Sequence, residues 1–167
     1  MRLFIIGPMA SGKSLLGRKL SEYLDLPYVD TDKEIEFRAG AEISWIFEKE
    51  GEEGFRDRES AILKESSELE SFIISTGGGA ILRNENRELM RSRGKLIYLE
   101  TPIEIQLSRT LNDKTRPLIE NADKEEVFSA LSKERTPIYE ELSDIKVPFK
   151  DRSKDELLNT VLKLLEI

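Results

Sequence analysis

Cysteine and histidine are both missing from the 167 residues of this chain. Without cysteine there is no disulfide framework, and no thiolate to act as metal ligand or nucleophile. Without histidine the usual zinc ligands and the commonest general base are gone as well. No apolar run approaches membrane-spanning length, and the N-terminus enters a strand without a signal peptide, so a soluble cytoplasmic protein with no membrane partner is expected. Charged residues make up 35% of the chain, yet no run of one sign is long enough to suggest a disordered tail. The net charge of −7 argues against nucleic acid as a partner, because phosphate backbones are held by a basic face. An anionic ligand would need the lysines and arginines gathered at one site against that overall sign. The length corresponds to one domain, residues 1–167, with enough chain to bury a core.

The most informative stretch is Leu3-Phe-Ile-Ile6 running into Gly7-Pro-Met-Ala-Ser-Gly12-Lys13-Ser14. A short apolar run reads as a buried parallel strand, and G-x-x-x-x-G-K-S is the phosphate-binding loop pattern. Behind it Leu16, Leu20, Tyr23 and Leu24 fall at helical spacing, which completes a strand–loop–helix context. Loop N–H groups and the positive end of the helix dipole would converge on one anion. Lys13 would reach the β- and γ-phosphates and Ser14 would hold Mg²⁺. A glycine-rich turn that merely packs a helix on a sheet would not need Lys13-Ser14 at that offset.

Further strands are expected at Arg2–Ile6, 27–30, Phe72–Ser75, 95–100 and 145–149, with helical patterns between them. Thr101-Pro-Ile-Glu104 and Ser153-Lys-Asp-Glu156 both read as capping boxes. A helix over 83–93 closes with Gly94 as a C-cap. The result is an α/β protein with a mostly parallel five-stranded sheet. Residues 35–69 are too long for one crossover helix and divide into two or three, one around 44–49 and one from Glu52 onward. Residues 111–123 are polar, carry Arg116 and have little to bury, which suits a lid.

Two more clusters fall at strand ends, where open α/β sheets bind ligands. Val29-Asp30-Thr31-Asp32 offers two carboxylates that could share a face, one toward a metal and its waters and one toward an acceptor. Alternatively Asp30 or Thr31 only caps the next helix. Ser75-Thr76-Gly77-Gly78-Gly79 ends an apolar strand in backbone that a ligand could approach closely, or in a strained turn with no ligand.

With these motifs in this order the chain resembles the shikimate kinase family, essentially end to end. The resemblance is carried by the loop at 7–14, Asp30-Thr31-Asp32, residues 43–59 with Phe55-Arg56, Gly77-Gly78-Gly79, Arg116-Pro117-Leu118 and Arg135-x-Pro137-x-Tyr139. It implies a three-layer α/β/α fold of the nucleoside-monophosphate-kinase type, with sheet order 2-3-1-4-5. It also implies a substrate-binding helical region at about 33–61 and a lid at about 111–123. The reaction implied is transfer of the γ-phosphoryl group of ATP to the 3-hydroxyl of shikimate, on the route to chorismate and the aromatic amino acids.

Position by position, the resemblance implies that Ala10, Ser11, Gly12, Lys13, Ser14, Leu15 and Arg116 meet ATP. Lys13, Asp32 and Arg116 would be catalytic. Asp32, Arg56, Gly78 and Arg135 would hold shikimate. Ser14 would ligate Mg²⁺ directly, and Asp30 and Ser75 would hold it through water. Taken alone, Arg56 and Arg135 read equally well as arginines in solvated ion pairs. Ala10 stands where the family usually has glycine and is expected to be tolerated unless its φ must be positive. Leu15 stands where threonine is usual, which removes a hydroxyl from the nucleotide side. A related gluconate kinase would not be expected to carry the Asp30-x-Asp32, Arg56 and glycine-triplet set. A regulatory ATP switch without turnover would be expected to have lost Lys13, Ser14, Asp32 or Arg116. No large apolar stripe is left over for an obligate interface, so a monomer is expected.

Overall fold

The computed structural model describes residues 1–112 and 123–167. Five strands alternate with helices: β1 Arg2–Ile6, β2 Tyr28–Asp30, β3 Phe72–Ser75, β4 Lys95–Leu99 and β5 Ile145–Val147. All pairings are parallel and the order is β2-β3-β1-β4-β5. The strands stand where the apolar runs place them, with ends shorter by one or two residues at β2, β4 and β5.

Strand alternation divides the core into two layers. Phe4, Ile6, Phe72, Ile74, Leu96 and Tyr98 face one way and pack with Leu63, Met90, Tyr139 and Leu142. Those partners belong to α3 (Ile43–Ser66), α4 (Asn84–Arg93) and α6 (Lys124–Leu142). Leu3, Ile5, Ile73, Ile97 and Val147 face the other way, onto α1 (Lys13–Leu24) and α7 (Lys154–Leu164), through Leu16, Leu20, Val161 and Leu162. Leu24 joins this layer, whereas Tyr23, one helical step away, points to solvent. A third cluster of Ile35, Ile46, Phe55 and Ile62 joins α2 (Thr31–Ala39) to α3 outside the sheet.

Residues 35–69 do form separate helical pieces. After α2, helix α3 breaks at Gly51, whose φ of 72° and ψ of −178° belong to a backbone region almost reserved for glycine. The break falls between the expected stretch around 44–49 and the one beyond Glu52.

One helix end differs from its sequence signature. The Ser153 capping box is formed on both sides, at 3.2 Å and 2.6 Å. The Thr101 box is not, because Pro102 itself takes the extended cap position and α5 (Ile103–Arg109) begins one residue late. The Thr101 carbonyl instead accepts from Gln106 Nε2 at 3.0 Å. Gly94 closes α4 as its C-cap, in extended backbone, with its N–H on the Met90 carbonyl. Glycine is required there for room, since a Cβ would lie 2.8 Å from the Arg2 carbonyl oxygen.

Candidate active site

The loop from Gly7 to Gly12 leaves the carboxyl end of β1, the central strand, where chain connections depart to both sides of the sheet. Gly7 combines a φ of +147° with an approach that would put a Cβ 2.7 Å from the Leu99 carbonyl oxygen. Gly12 is the N-cap of α1 with φ 92° and supplies no side chain, so the first amides of α1 are left to a ligand. Lys13 Nζ donates to Pro8 O at 2.7 Å and to Ser11 Oγ at 3.3 Å, folded over the loop it would serve. Ala10 is in the left-handed region at φ 59°, so the condition on which its tolerance depended applies: this position does require positive φ.

Asp30 and Asp32 do not extend from one strand end. Asp30 is the extended N-cap of α2, and Asp32 already lies in its first turn. The two carboxylates consequently separate into different duties. Asp30 Oδ1 accepts from Lys33 N at 3.3 Å as a cap, while Oδ2 accepts from Ser14 Oγ at 2.5 Å. One residue thus caps α2 and also reaches the start of α1. Ser75, register partner of Asp30 on β3, donates to the Lys13 carbonyl at 2.9 Å. Ser14, Asp30 and Ser75 therefore form one oxygen-rich cluster at the start of α1.

Asp32 lines a cavity of about 390 Å³ that also reaches Lys13, Ser14 and Asp30. Its walls include Arg56, Glu59, Arg135, the glycine triplet and the apolar Phe47 and Phe55. Arg56 and Arg135 are each only 5% exposed, which removes the solvated-pair reading for both. Arg56 donates to the wholly buried Glu59 Oε1 at 2.7 Å. Arg56 Nε, Arg135 Nε and Glu59 Oε2 are buried with no hydrogen-bond partner among the described residues. Buried polar atoms left this way point to a ligand that would complete them.

Two glycines of the triplet, Gly77 and Gly79, make room for these groups. A Cβ on Gly77 would meet Glu59 Oε2 at 2.6 Å and Asp32 Oδ1 at 2.7 Å. On Gly79 it would meet the Arg56 guanidinium at 2.2 Å. Gly77 N donates to Thr31 Oγ1 at 3.0 Å, and the Gly78 carbonyl accepts from Tyr139 Oη at 2.5 Å. The segment is a turn packed around Asp32, Arg56 and Glu59, and none of its three glycines has a positive φ. Burial is the main force pushing the Glu59 carboxyl from 4.5 up to about 7, opposed by Arg56 and Arg135 and assisted by Asp32. Burial likewise holds the Tyr139 phenol above its usual range.

Some residues at the site carried no assigned role in the sequence. Glu59 stands three residues after Arg56, and Tyr139 four after Arg135, so both lie on a helical face already marked by an arginine. Arg109 NH1 donates to the Ala10 carbonyl at 2.8 Å, and its guanidinium lies 5.8 Å from the Phe149 ring centroid. Arg109 and Phe149, with Ser11 and Arg152, line a second hollow of about 60 Å³. No spacing rule links positions 10, 109 and 149, so this contact had no sequence signal. Arg116 and nearly all of the segment 111–123 lie outside the described residues. Among the described residues no helix is long and apolar enough to cross a membrane.

A family model described as shikimate kinase matches residues 9–166. A shikimate kinase of Histophilus somni is 47% identical over 165 residues, covering 98% of this chain and 94% of its own. A shikimate kinase 1 of Yersinia enterocolitica is 44% identical over 165 residues, covering 98% and 95%. Among solved structures, the shikimate kinase of Acinetobacter baumannii in complex with shikimate superposes with a TM-score of 0.96 at 41% identity. That match covers 99% of this chain and 92% of the other.

Proposed function

Since this chain belongs to the shikimate kinase family, we propose that its cavity binds shikimate and directs the 3-hydroxyl at the γ-phosphate of ATP held by the loop at 7–14. One observation carries the reading. Two buried arginines and the buried Glu59, with the half-buried Asp32, surround the glycine triplet in a cavity that opens directly on Lys13 and Ser14. Shikimate has a carboxylate at one end of its ring and hydroxyls at the other. The Arg56 and Arg135 guanidiniums suit the first and Asp32 the second, with the Gly78 backbone alongside.

The phosphates lie against the uncapped amides of α1, and Lys13 neutralises the group in transfer. Asp32 accepts the hydrogen bond of the attacking hydroxyl and orients it in line. A loose phosphoryl-transfer transition state requires placement and charge neutralisation more than a strong base, so a chain without histidine is adequate. The flat Arg109 guanidinium beside Phe149 suits the base end of the nucleotide.

Mg²⁺ takes hard oxygen donors and keeps several waters. The Ser14 hydroxyl, the Asp30 carboxylate and the Ser75 hydroxyl, clustered within hydrogen-bonding reach of one another or of α1, match that requirement. Ser14 would hold the ion directly and Asp30 and Ser75 through water. Bound there, it would supply charge neutralisation on the phosphates.

The test is an ADP-coupled assay with shikimate and gluconate side by side. Turnover is expected with shikimate alone. Comparable kcat/KM for gluconate, which has a carboxylate but no ring, would overturn the assignment of shikimate as the acceptor this cavity selects.

A further inference from the structure

The phenol of Tyr28 has no part in the account above, yet it stands directly behind the proposed cation site. Tyr28 precedes Asp30 by two positions on β2, so both side chains leave the strand on one face. Its hydroxyl lies 3.2 Å from the Ser14 carbonyl oxygen, 3.2 Å from Ser75 Oγ and 3.4 Å from Asp30 Oδ2. The Ser14 hydroxyl donates to Asp30 and the Ser75 hydroxyl donates to Lys13 O, so the phenolic proton is the one left to serve these three oxygens. Room for the ring comes from Gly17, where a Cβ would fall 2.3 Å from Tyr28 Cε2 and 2.6 Å from Ser75 Oγ.

The location gives that hydroxyl a task. β2 is an edge strand of three residues paired only with β3, so few ladder bonds fix Asp30 relative to Ser75 and α1. Asp30 also divides its oxygens between capping α2 and accepting from Ser14. A neutral donor that touches β3, α1 and the carboxylate at once ties the three elements together at their oxygens.

We infer that Tyr28 is a positioning residue for the divalent cation, its hydroxyl holding Asp30 and Ser75 in register with the start of α1. The inference rests on the cation site proposed above. It also separates cleanly from packing, because the ring belongs to the partly buried shell of the α1/α7 core layer and Tyr28→Phe leaves that ring in place.

The probe is Mn²⁺ titrated into the full chain with saturating ADP and followed by electron paramagnetic resonance. Removing an outer partner of a metal site weakens metal affinity by about tenfold or more, so Tyr28→Phe should weaken Mn²⁺ binding by about that factor. Metal-free ADP affinity and the KM for shikimate should stay at wild-type values. Wild-type Mn²⁺ affinity in Tyr28→Phe, beside a large loss in Ser14→Ala, would overturn the role of Tyr28 and leave the cation site standing. No loss in either variant would overturn the cation site itself and the inference with it. Equal losses of metal-free ADP, shikimate and Mn²⁺ affinity in Tyr28→Phe would show a general loosening and overturn the inference as well.

Discussion

Ala10 and Arg56 show how much can turn on one side chain. Ala10 holds a left-handed backbone conformation inside the phosphate loop, and its carbonyl is pinned by Arg109. An L-residue with a Cβ is disfavoured there by roughly 1–2 kcal/mol, part of which glycine returns through its more flexible unfolded chain. Ala10→Gly should therefore raise unfolding free energy by about 0.5–1 kcal/mol, measured by urea denaturation. Arg56 is the opposite case, a charge buried with a planar fork that meets Glu59 and still has Nε without a partner. Arg56→Lys keeps the charge and loses the fork. It should raise the KM for shikimate at least about tenfold while leaving the KM for ATP near wild type, consistent with about 2 kcal/mol or more for a desolvated charged contact. Initial-rate kinetics with each substrate varied would check both halves of that statement.

Among the elements, α3 holds the most functional information. Its second part carries Arg56 and Glu59, its first part carries Phe47, and Gly51 sets the angle between them. A double hydrogen bond from Arg58 to Glu50, at 2.8 Å and 2.7 Å, spans the break. A Cβ on Gly51 would meet nothing within 4 Å, so any effect of substitution there comes from φ and ψ alone. Gly51→Ala should cost about 1–3 kcal/mol of stability, the usual range for a non-glycine residue in such a region. Since the break orients two walls of one cavity, the same change should raise the KM for shikimate more than the KM for ATP. Thermal unfolding together with two-substrate kinetics gives the readout. A straight α3 would put Phe47 and Arg56 in a different relation, and no single contact would repair it.

At the scale of the whole molecule, burial of Glu59 couples the acceptor cavity to stability. Its carboxyl is raised from 4.5 to about 7, chiefly by desolvation, with Arg56 and Arg135 opposing and Asp32 assisting. Between those values the folded protein keeps a proton that the unfolded chain has released. The contribution of this group to stability is therefore full below pH 4.5 and is lost as pH rises through about 7. Glu50, Glu65, Asp155 and Glu156 have lowered carboxyls, so their stabilisation disappears as pH falls, at and below the ordinary carboxylate range. The two windows do not coincide. Urea unfolding from pH 4.5 to 7.5 should show a steeper decline for wild type than for Glu59→Gln, and equal slopes would remove Glu59 as the source.

Local signals determined a large share of this protein. Alternating or continuous apolar runs fix which segments become strands, because a strand buried on both faces can use little else. G-x-x-x-x-G-K-S fixes the loop, because an anion cradle of backbone amides needs glycine at its turns and Lys13 within reach. The order of Asp32, Arg56, the glycine triplet and Arg135 carries the family, and with it an expected cavity. The tertiary structure decided what depends on distance between segments far apart in the chain. It turned Asp30 toward Ser14 and Asp32 toward Glu59 by starting α2 at Thr31. It buried Arg56 and Arg135 on neighbouring helices, so that neither reads as a surface ion pair. It also brought Tyr28 and Ser75 into contact across β2 and β3, and Arg109 to Ala10 from 99 residues away. Hydrogen bonds and desolvation act over a few ångströms of space, whatever the separation along the chain, so these arrangements exist only once the sheet and its helices have assembled.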